Sequence, residues 1–356
     1  MATPAYIAID GSMGEGGGQV LRASLALSMA LGEPFRMTKI RANRPKPGLK
    51  RQHLTCVKAA QTVCGAEVSG DAINSTELVF APGPLCPGEY HFDVGSGGSV
   101  TLVLQALIPA LMTAQSPSRI TVTGGTHVPY APAFEFMRDT LFPLLERMGP
   151  RLEASMERPG FMQVGGGRVS VTITPTGRLA PLHAETPGAF AGAEALIYCH
   201  GIPADIARRE EETLLACGGP ELGLGAEHIR WLDGKEKLPP EGPGNAVLLQ
   251  IRHEKGVTVF GETGWRGRAA EAVARQTAKR ALAFMRSGVA VERHLADQII
   301  VPMALGAGGS FLTEKLTPHA RTCLDIVQLF TDRPVMVGTV GTASKEGGKA
   351  IRVTIE

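Results

Sequence analysis

One unit recurs along this chain and limits its architecture more than any other feature: a strand, a glycine-bearing loop, an amphipathic helix, and a glycine stop before the next strand. Three apolar helical runs share the stop: residues 25–31 close at Gly32, 57–64 at Gly65, and 140–148 at Gly149. An alternating stretch follows each, as a helix C-cap leading into a strand reads. A second echo is more specific. Leu102-Val-Leu-Gln105-Ala-Leu-Ile-Pro109 and Leu295-Ala-Asp-Gln298-Ile-Ile-Val-Pro302 both spell Leu-x-x-Gln-x-x-x-Pro, each beside a glycine-serine loop, residues 95–99 and 306–310. Such echoes in distant parts of the chain predict duplicated units with equivalent surfaces available for one site.

Between residues 183 and 281 the pattern breaks. An acidic-basic helix over 206–217 and a Pro/Gly-rich linker, 235–244, come first. Alternating runs at 246–252 and 256–262 and a helix from about Ala269 follow. This predicts a small inserted α/β domain, 183–281, interrupting a large domain of repeated units, 1–182 and 282–356. The length of 356 residues exceeds the size at which one core usually stops growing, in line with two bodies. The fold class expected is α+β: repeated βαβ-type units, with helices on one face of each short-stranded sheet.

Apolar residues make up 44% and charged residues 20%, an ordinary globular composition. No window holds the roughly 20 apolar residues of a membrane helix; the most apolar run, 100–114, is broken by Gln105 and Pro109. The first six residues do not read as a signal peptide. Six cysteines without a CxxC pair argue for reduced thiols and against a zinc site. A soluble cytoplasmic protein without membrane contact is expected. Its net charge of +2 hides a local asymmetry: residues 34–66 carry eight cations and no carboxylate. That pattern suits phosphates better than a neutral ligand.

Ile9-Asp-Gly-Ser-Met-Gly-Glu15-Gly-Gly-Gly-Gln-Val-Leu-Arg22 reads as a strand, a glycine loop and a helix. Such a loop offers backbone N–H groups and the positive end of a helix dipole to an anion. It lacks the Gly-Lys-Ser/Thr ending of a P-loop and the spacing of a dinucleotide fingerprint. Glu15 would repel phosphate there unless a cation stood between them, so it reads as a Mg²⁺ contact. Downstream, Arg41-Ala-Asn-Arg44-Pro-Lys46-Pro-Gly-Leu-Lys50-Arg51-Gln52-His53 is a proline-stiffened loop of cations. Arginine grips phosphate through paired donors, which makes Arg22, Arg41 and Arg44 the anion-clamp candidates. Of nine histidines, His319 falls in a loop before a helix over 323–329, and His294 directly precedes Leu-Ala-Asp297-Gln298. Spacing does not choose among them. The residues read as a phosphate-handling enzyme that takes a nucleotide.

These stretches resemble the RNA 3′-terminal phosphate cyclase family. The matching blocks run nearly end to end: Asp10-Gly through Arg22, Ile40-Arg-Ala-Asn-Arg-Pro-Lys-Pro-Gly-Leu, Arg51-Gln-His-Leu-Thr55, Ser99-Val-Thr-Leu-Val-Leu-Gln105, Ser118-Arg-Ile-Thr-Val-Thr-Gly-Gly-Thr126, Gly165-Gly-Gly167, Gly242-Pro-Gly-Asn245 and Leu295-Ala-Asp-Gln298. The resemblance implies repeated units similar to the C-terminal domain of a translation initiation factor, with a smaller inserted domain. It implies ATP and a divalent metal, Mg²⁺ or Mn²⁺, and an RNA partner ending in a 3′-phosphate. It also implies His319 as a nucleophile that carries AMP, and Gln105, Pro132, His294, Asp297 and Gln298 as ATP contacts. Glu15 would hold the metal, and Arg22, Arg41, Arg44, Gln52 and His53 the phosphates. A homodimer is left open. Two departures stand out: His294 where many members carry tyrosine, and Thr322-Cys323 where others often read Thr-Asn. Two rivals are a non-catalytic relative serving ribosome assembly, which should have lost the nucleophile, and an enolpyruvyl transferase, which the ordered blocks do not fit.

Overall fold

In the computed structural model, which describes residues 6–233, 238–341 and 349–356, the chain opens with β1 (Ile7–Asp10), α1 (Gly18–Leu31), β2 (Phe35–Thr38), α2 (Arg51–Cys64), β3 (Glu67–Ser69) and β4 (Leu78–Ala81). The sheet runs β1-β2-β4-β3, with β1 and β2 parallel and the other pairings antiparallel. The same order follows in β5 (Glu89–Asp93), α3 (Val100–Leu111), β6 (Ser118–Gly124), α4 (Phe142–Glu146), β7 (Arg151–Arg158) and β8 (Gly167–Thr174). Their sheet is β5-β6-β8-β7, with the same senses.

A third copy begins at β9 (Leu182–Ala184) and is at once interrupted. The interruption comprises β10 (Phe190–His200), α5 (Ala204–Leu222), β11 (Ile229–Leu232), β12 (Gly244–His253), β13 (Gly256–Thr263) and α6 (Ala270–Ser287). Its strands form a sheet of their own, β11-β10-β12-β13. The third copy resumes with α7 (Arg293–Leu305), β14 (Gly309–Thr313), α8 (Pro318–Phe330), β15 (Val335–Gly341) and β16 (Lys349–Ile355). Its sheet is β9-β14-β16-β15, again with one parallel and two antiparallel pairings. The fold is α+β, with four small mixed sheets. Part of the sequence-read linker, residues 235–237, and of the amino-terminal reading, residues 1–5, lies outside the described residues.

Composition sorts the helices into layers. The first helix of each copy, α1, α3 and α7, is apolar nearly all round, and a helix of that kind must be covered on every side. Residues 19–29 of α1 and all but two of the twelve in α3 are buried, and the three helices pack on one another at the centre. The second helices α2 and α8 keep a polar face and lie outside them. One hydrophobic core runs under the three copies; a second lies between the fourth sheet and α5 and α6. Gly32 and Gly65 cap α1 and α2 with φ of 75° and 58°, and their N–H groups donate to the Ser28 and Gln61 carbonyls.

Helix boundaries differ from the sequence reading in several places; α5, read over 206–217, spans Ala204–Leu222. Helix α8 starts at Pro318, not at 323, so His319 sits on its first turn and not in a loop. The reason is local: the Thr317 side chain accepts the Ala320 N–H at 3.1 Å, and Pro318 occupies the first helical position, where a missing N–H costs nothing. The run at 140–148 begins earlier, as a widened π-type turn over Phe136–Leu141. Among the described residues no helix is long and apolar enough to cross a membrane.

Candidate active site

The helices α1, α3 and α7 meet where they carry Arg22, Gln105 and Asp297-Gln298. Arg22 is 6% exposed. Its Nε donates to Gln105 Oε1 at 2.7 Å and its Nη2 to Gln19 Oε1 at 2.6 Å. Gln19 in turn donates through Nε2 to the Cys323 Sγ at 2.9 Å. That thiol points at the Asp297 carbonyl, 3.5 Å away. One chain of contacts therefore fixes a buried guanidinium against all three copies. The Thr322-Cys323 departure keeps its ties: the Thr322 hydroxyl accepts the Glu15 N–H at 3.4 Å, joining α8 to the glycine loop.

That loop needs its glycines. A β-carbon at Gly14, whose φ is +57°, would land 2.0 Å from the Thr322 Oγ1. One at Gly18 would lie 2.7 Å from both Arg22 Nη1 and His53 Nε2, so the missing side chain lets two phosphate-binding candidates approach the backbone. The Glu15 carboxylate pairs with Arg44, and its Oε1 lies 3.4 Å from His319 Nδ1. Arg41 donates to the Lys46 and Gly48 carbonyls at 2.8 and 2.9 Å, holding the shape of the basic loop. Gln52 accepts the Ser99 N–H at 2.8 Å, tying α2 to the second copy.

Beside this cluster lies a cavity of about 520 Å³, lined by Arg22, Pro132, His294, Asp297, Gln298 and His319. Its size is that of a small-molecule site. Gln105 does not line it but braces Arg22 from behind. Sequence reasoning missed part of the wall. Gln19, Glu262, Arg268 and Arg280 also face the cavity. Glu262 holds Arg268 at 2.9 Å and Arg280 at 3.3 Å. Three of these four belong to the segment between β9 and α7, and mixed charges there read as an ordinary solvated face.

Burial sets the protonation states. It pulls His319 below the ordinary histidine value; the Glu15 carboxylate opposes this, and Arg22 and Arg44 reinforce it. It lowers His294 to about 4, with help from Arg280, Arg293 and His319. His53 falls to about 3 through burial and the charges of Arg22, Arg41 and Lys50. All three imidazoles are uncharged at neutral pH and can act as nucleophiles or hydrogen-bond partners. Asp297 is pushed the other way, up to about 7, because burial outweighs the pull of Arg22 and the Gln298 hydrogen bond at 2.7 Å.

A carboxyl raised from 3.8 to about 7 keeps a proton that the unfolded chain releases, so stability is lost as pH rises through that window. Three pKa units correspond to about 4 kcal/mol. Asp297→Asn is therefore expected to melt at a higher temperature than the parent at pH 8 and no higher at pH 4, measured by scanning calorimetry.

Glu15 also meets a requirement for a divalent cation. Its Oε1 is buried without a hydrogen-bond partner, and Mg²⁺ binds through one or two carboxylates plus phosphate oxygens. Among the described residues no group of three or more metal-ligating side chains occurs, so the fit is to a single-carboxylate contact.

A family model described as RNA 3′-terminal phosphate cyclase matches residues 13–337. A relative from Koribacter versatilis bearing that name is 44% identical over 324 residues, 91% of this chain and 89% of its own length. One of the same name from Salmonella enteritidis is 41% identical over 348 residues, 98% of each chain. A solved enolpyruvyl transferase from Streptomyces tendae is 11% identical with a TM-score of 0.37, covering 98% of this chain and 48% of its own, too slight a likeness to bear on fold or function.

Proposed function

The chain belongs to the RNA 3′-terminal phosphate cyclase family, and from that membership we propose that it uses ATP to convert an RNA 3′-phosphate end into a 2′,3′-cyclic phosphodiester, with His319 as the nucleophile. The observation that carries the residue assignment is an imidazole held uncharged on the first turn of α8, facing the cavity, with Nδ1 against Glu15. In the tautomer that carries its proton on Nδ1, on the side of Glu15, the Nε2 lone pair is free to attack.

Three transfers follow. Nε2 attacks the α-phosphorus of ATP; an N–P bond forms, the bond to the bridging oxygen breaks, and pyrophosphate leaves. A 3′-phosphate oxygen of the RNA then takes the AMP, breaking the N–P bond and forming a P–O–P linkage. Finally the 2′-oxygen attacks the 3′-phosphorus, its proton is lost, and AMP departs. A bare phosphate oxygen is a very poor leaving group and AMP a good one, which is why activation is required. Covalent catalysis divides the transfer into easier steps. The protein's part is positioning and charge compensation. Arg22, locked by Gln19 and Gln105, and Arg44, on Glu15, are suited to neutralise phosphate oxygens. Gln52, His53 and Arg41 extend that anion-binding surface. Pro132, His294, Asp297 and Gln298 are suited to hold the nucleoside. A divalent ion on Glu15, Mg²⁺ or Mn²⁺, would add positive charge at the phosphates.

Incubation with α-labelled ATP tests this reading. Label should stay on the protein at neutral pH and be lost in acid, as a histidine phosphoramidate requires. Protein that never takes up label would be the non-catalytic relative. A second prediction separates the two anions. Arg44→Ala should reduce cyclisation of 3′-phosphate RNA by about tenfold more than it reduces self-adenylylation, the scale of one charge-assisted contact. Equal losses in the two assays would assign the arginine to ATP.

A further inference from the structure

A second cavity, of about 550 Å³, adjoins the one that holds His319. The two share walls at Leu102, Pro129, Tyr130 and Trp265, and the second continues to Gln52, Gly97 and Gly98. Its large side chains are unusually bare. Tyr130 is 99% exposed, and Trp265 and Met162 are each 40% exposed. None of the three belongs to the machinery described above.

Two features show that the aromatic groups are held out and not merely left over. Tyr130 has φ of +62°, a left-handed conformation that side chains other than glycine adopt only under constraint. It stands between Pro129 and Pro132, whose rings stiffen the strained loop. Strain of this kind persists mainly where function uses it. At Trp265, the Arg268 guanidinium lies over the ring, 4.5 Å from its centroid. That guanidinium is itself tied to Glu262 at 2.9 Å and to the Thr263 carbonyl at 2.7 Å. The indole is thus fixed in place and cationic on one side.

We propose that Tyr130 and Trp265 form a stacking platform for the unpaired bases that lead up to the 3′-phosphate of a single-stranded RNA; this rests on the cyclase reading above. Base faces stack on aromatic rings regardless of sequence, and a neighbouring guanidinium adds cation–π attraction. Charge favours a polyanion as the occupant. Arg51 directly precedes Gln52, and its Nη1 donates to the Gly95 carbonyl at 2.9 Å, at the edge of the glycine loop that floors the cavity. The shared wall supplies the direction: a strand whose bases stack there runs its 3′ end into the cavity with His319. The platform reads π-faces and not base edges, so it accepts any sequence but requires the last nucleotides to be unpaired.

Fluorescence anisotropy with a short 5′-fluorescein oligoribonucleotide ending in a 3′-phosphate tests the platform. Tyr130→Ala and Trp265→Ala should each raise Kd by about tenfold, the scale of one base–aromatic stack. Tyr130→Phe should keep the parent affinity, since the ring and not the hydroxyl is used. An oligonucleotide with abasic sites before the terminal nucleotide should bind the parent protein as weakly as the intact one binds the double variant. An unchanged Kd in the double variant overturns the proposal. So does an equal loss in self-adenylylation, which would give the aromatic rings to the adenine of ATP. Failure of the cyclase reading shows separately, as a parent protein that binds the oligonucleotide but never carries acid-labile AMP.

Discussion

Replacement of His319 by alanine is expected to lower transfer of AMP onto the protein by on the order of 10⁴-fold or more, the scale of removing a covalent nucleophile. The fold should survive. The side chain is 42% exposed, its backbone is capped by Thr317 and Pro318 independently of the imidazole, and substitutions at such positions usually shift stability by about 0.5 kcal/mol or less. His294→Ala should still accept label. If His294→Ala loses the label and His319→Ala keeps it, the assignment is wrong. The pH profile is a second readout. Since burial lowers the His319 pKa, the ring should remain unprotonated, and labelling at its plateau, to a more acidic pH than an ordinary histidine near 6.5 allows. Below the shifted pKa the rate should fall about tenfold per pH unit. Glu15 is the group that raises this pKa, so Glu15→Gln should move the acid limb to still lower pH. A limb unmoved by that change would mean that some other group titrates.

Loss of Glu135 should cause the largest change in stability. Its carboxylate is 2% exposed; Oε2 lies 2.8 Å from His127 Nε2, and Oε1 accepts the Tyr198 hydroxyl at 2.7 Å. His127 Nδ1 meets Thr126 Oγ1 at 2.8 Å, and the His127 and Tyr198 rings approach to 4.5 Å between centroids. Tyr198 belongs to β10 of the fourth sheet, whereas His127 and Glu135 flank the loop carrying Pro129, Tyr130 and Pro132. The contact therefore fastens the intercalated sheet to the wall of both cavities. Glu135→Ala removes the acceptor of two buried hydrogen bonds, one of them charge-assisted, and should cost about 3–5 kcal/mol. At about 2–4 °C per kcal/mol, the melting temperature should fall by roughly 6–20 °C. Glu135→Gln, which keeps the shape, should lose less. A shift under about 2 °C for the alanine variant would show that the contact does not hold the two parts together. The pH dependence has a definite sign. Burial pushes the Glu135 carboxyl up, but the His127 charge and the two hydrogen bonds prevail and hold it below its ordinary range. Its contribution is thus present above the ordinary carboxylate pKa and lost as pH falls through the lowered one, and Glu135→Ala should flatten that part of the acid melting curve.

Much of this was legible along the chain because it depends on a few neighbouring dihedrals. A glycine after an apolar run marks a left-handed cap, and Gly32 and Gly65 adopt that conformation. The Leu-x-x-Gln-x-x-x-Pro echo lies on α3 and α7, which hold equivalent places in their copies. Thr317-Pro318 is a readable helix start, although apolar periodicity sets in only at Cys323. The family resemblance pointed to Arg22, Asp297, Gln298 and His319, and these four side chains do line one cavity.

The convergence itself was not legible. Arg22 meets Gln105 because three apolar helices bury one another, and nothing near either residue encodes the distance between them. Glu262, Arg268 and Arg280 close the cavity from a segment whose charges, in one dimension, look like any solvated surface. Tyr130 and Trp265 are lone aromatic residues in sequence and share two cavity walls only after the loop at 128–132 faces the fourth sheet. Local elements follow from residue preferences acting within a turn or two. Sites are made where surfaces far apart in the chain pack together, and that information resides in the whole core.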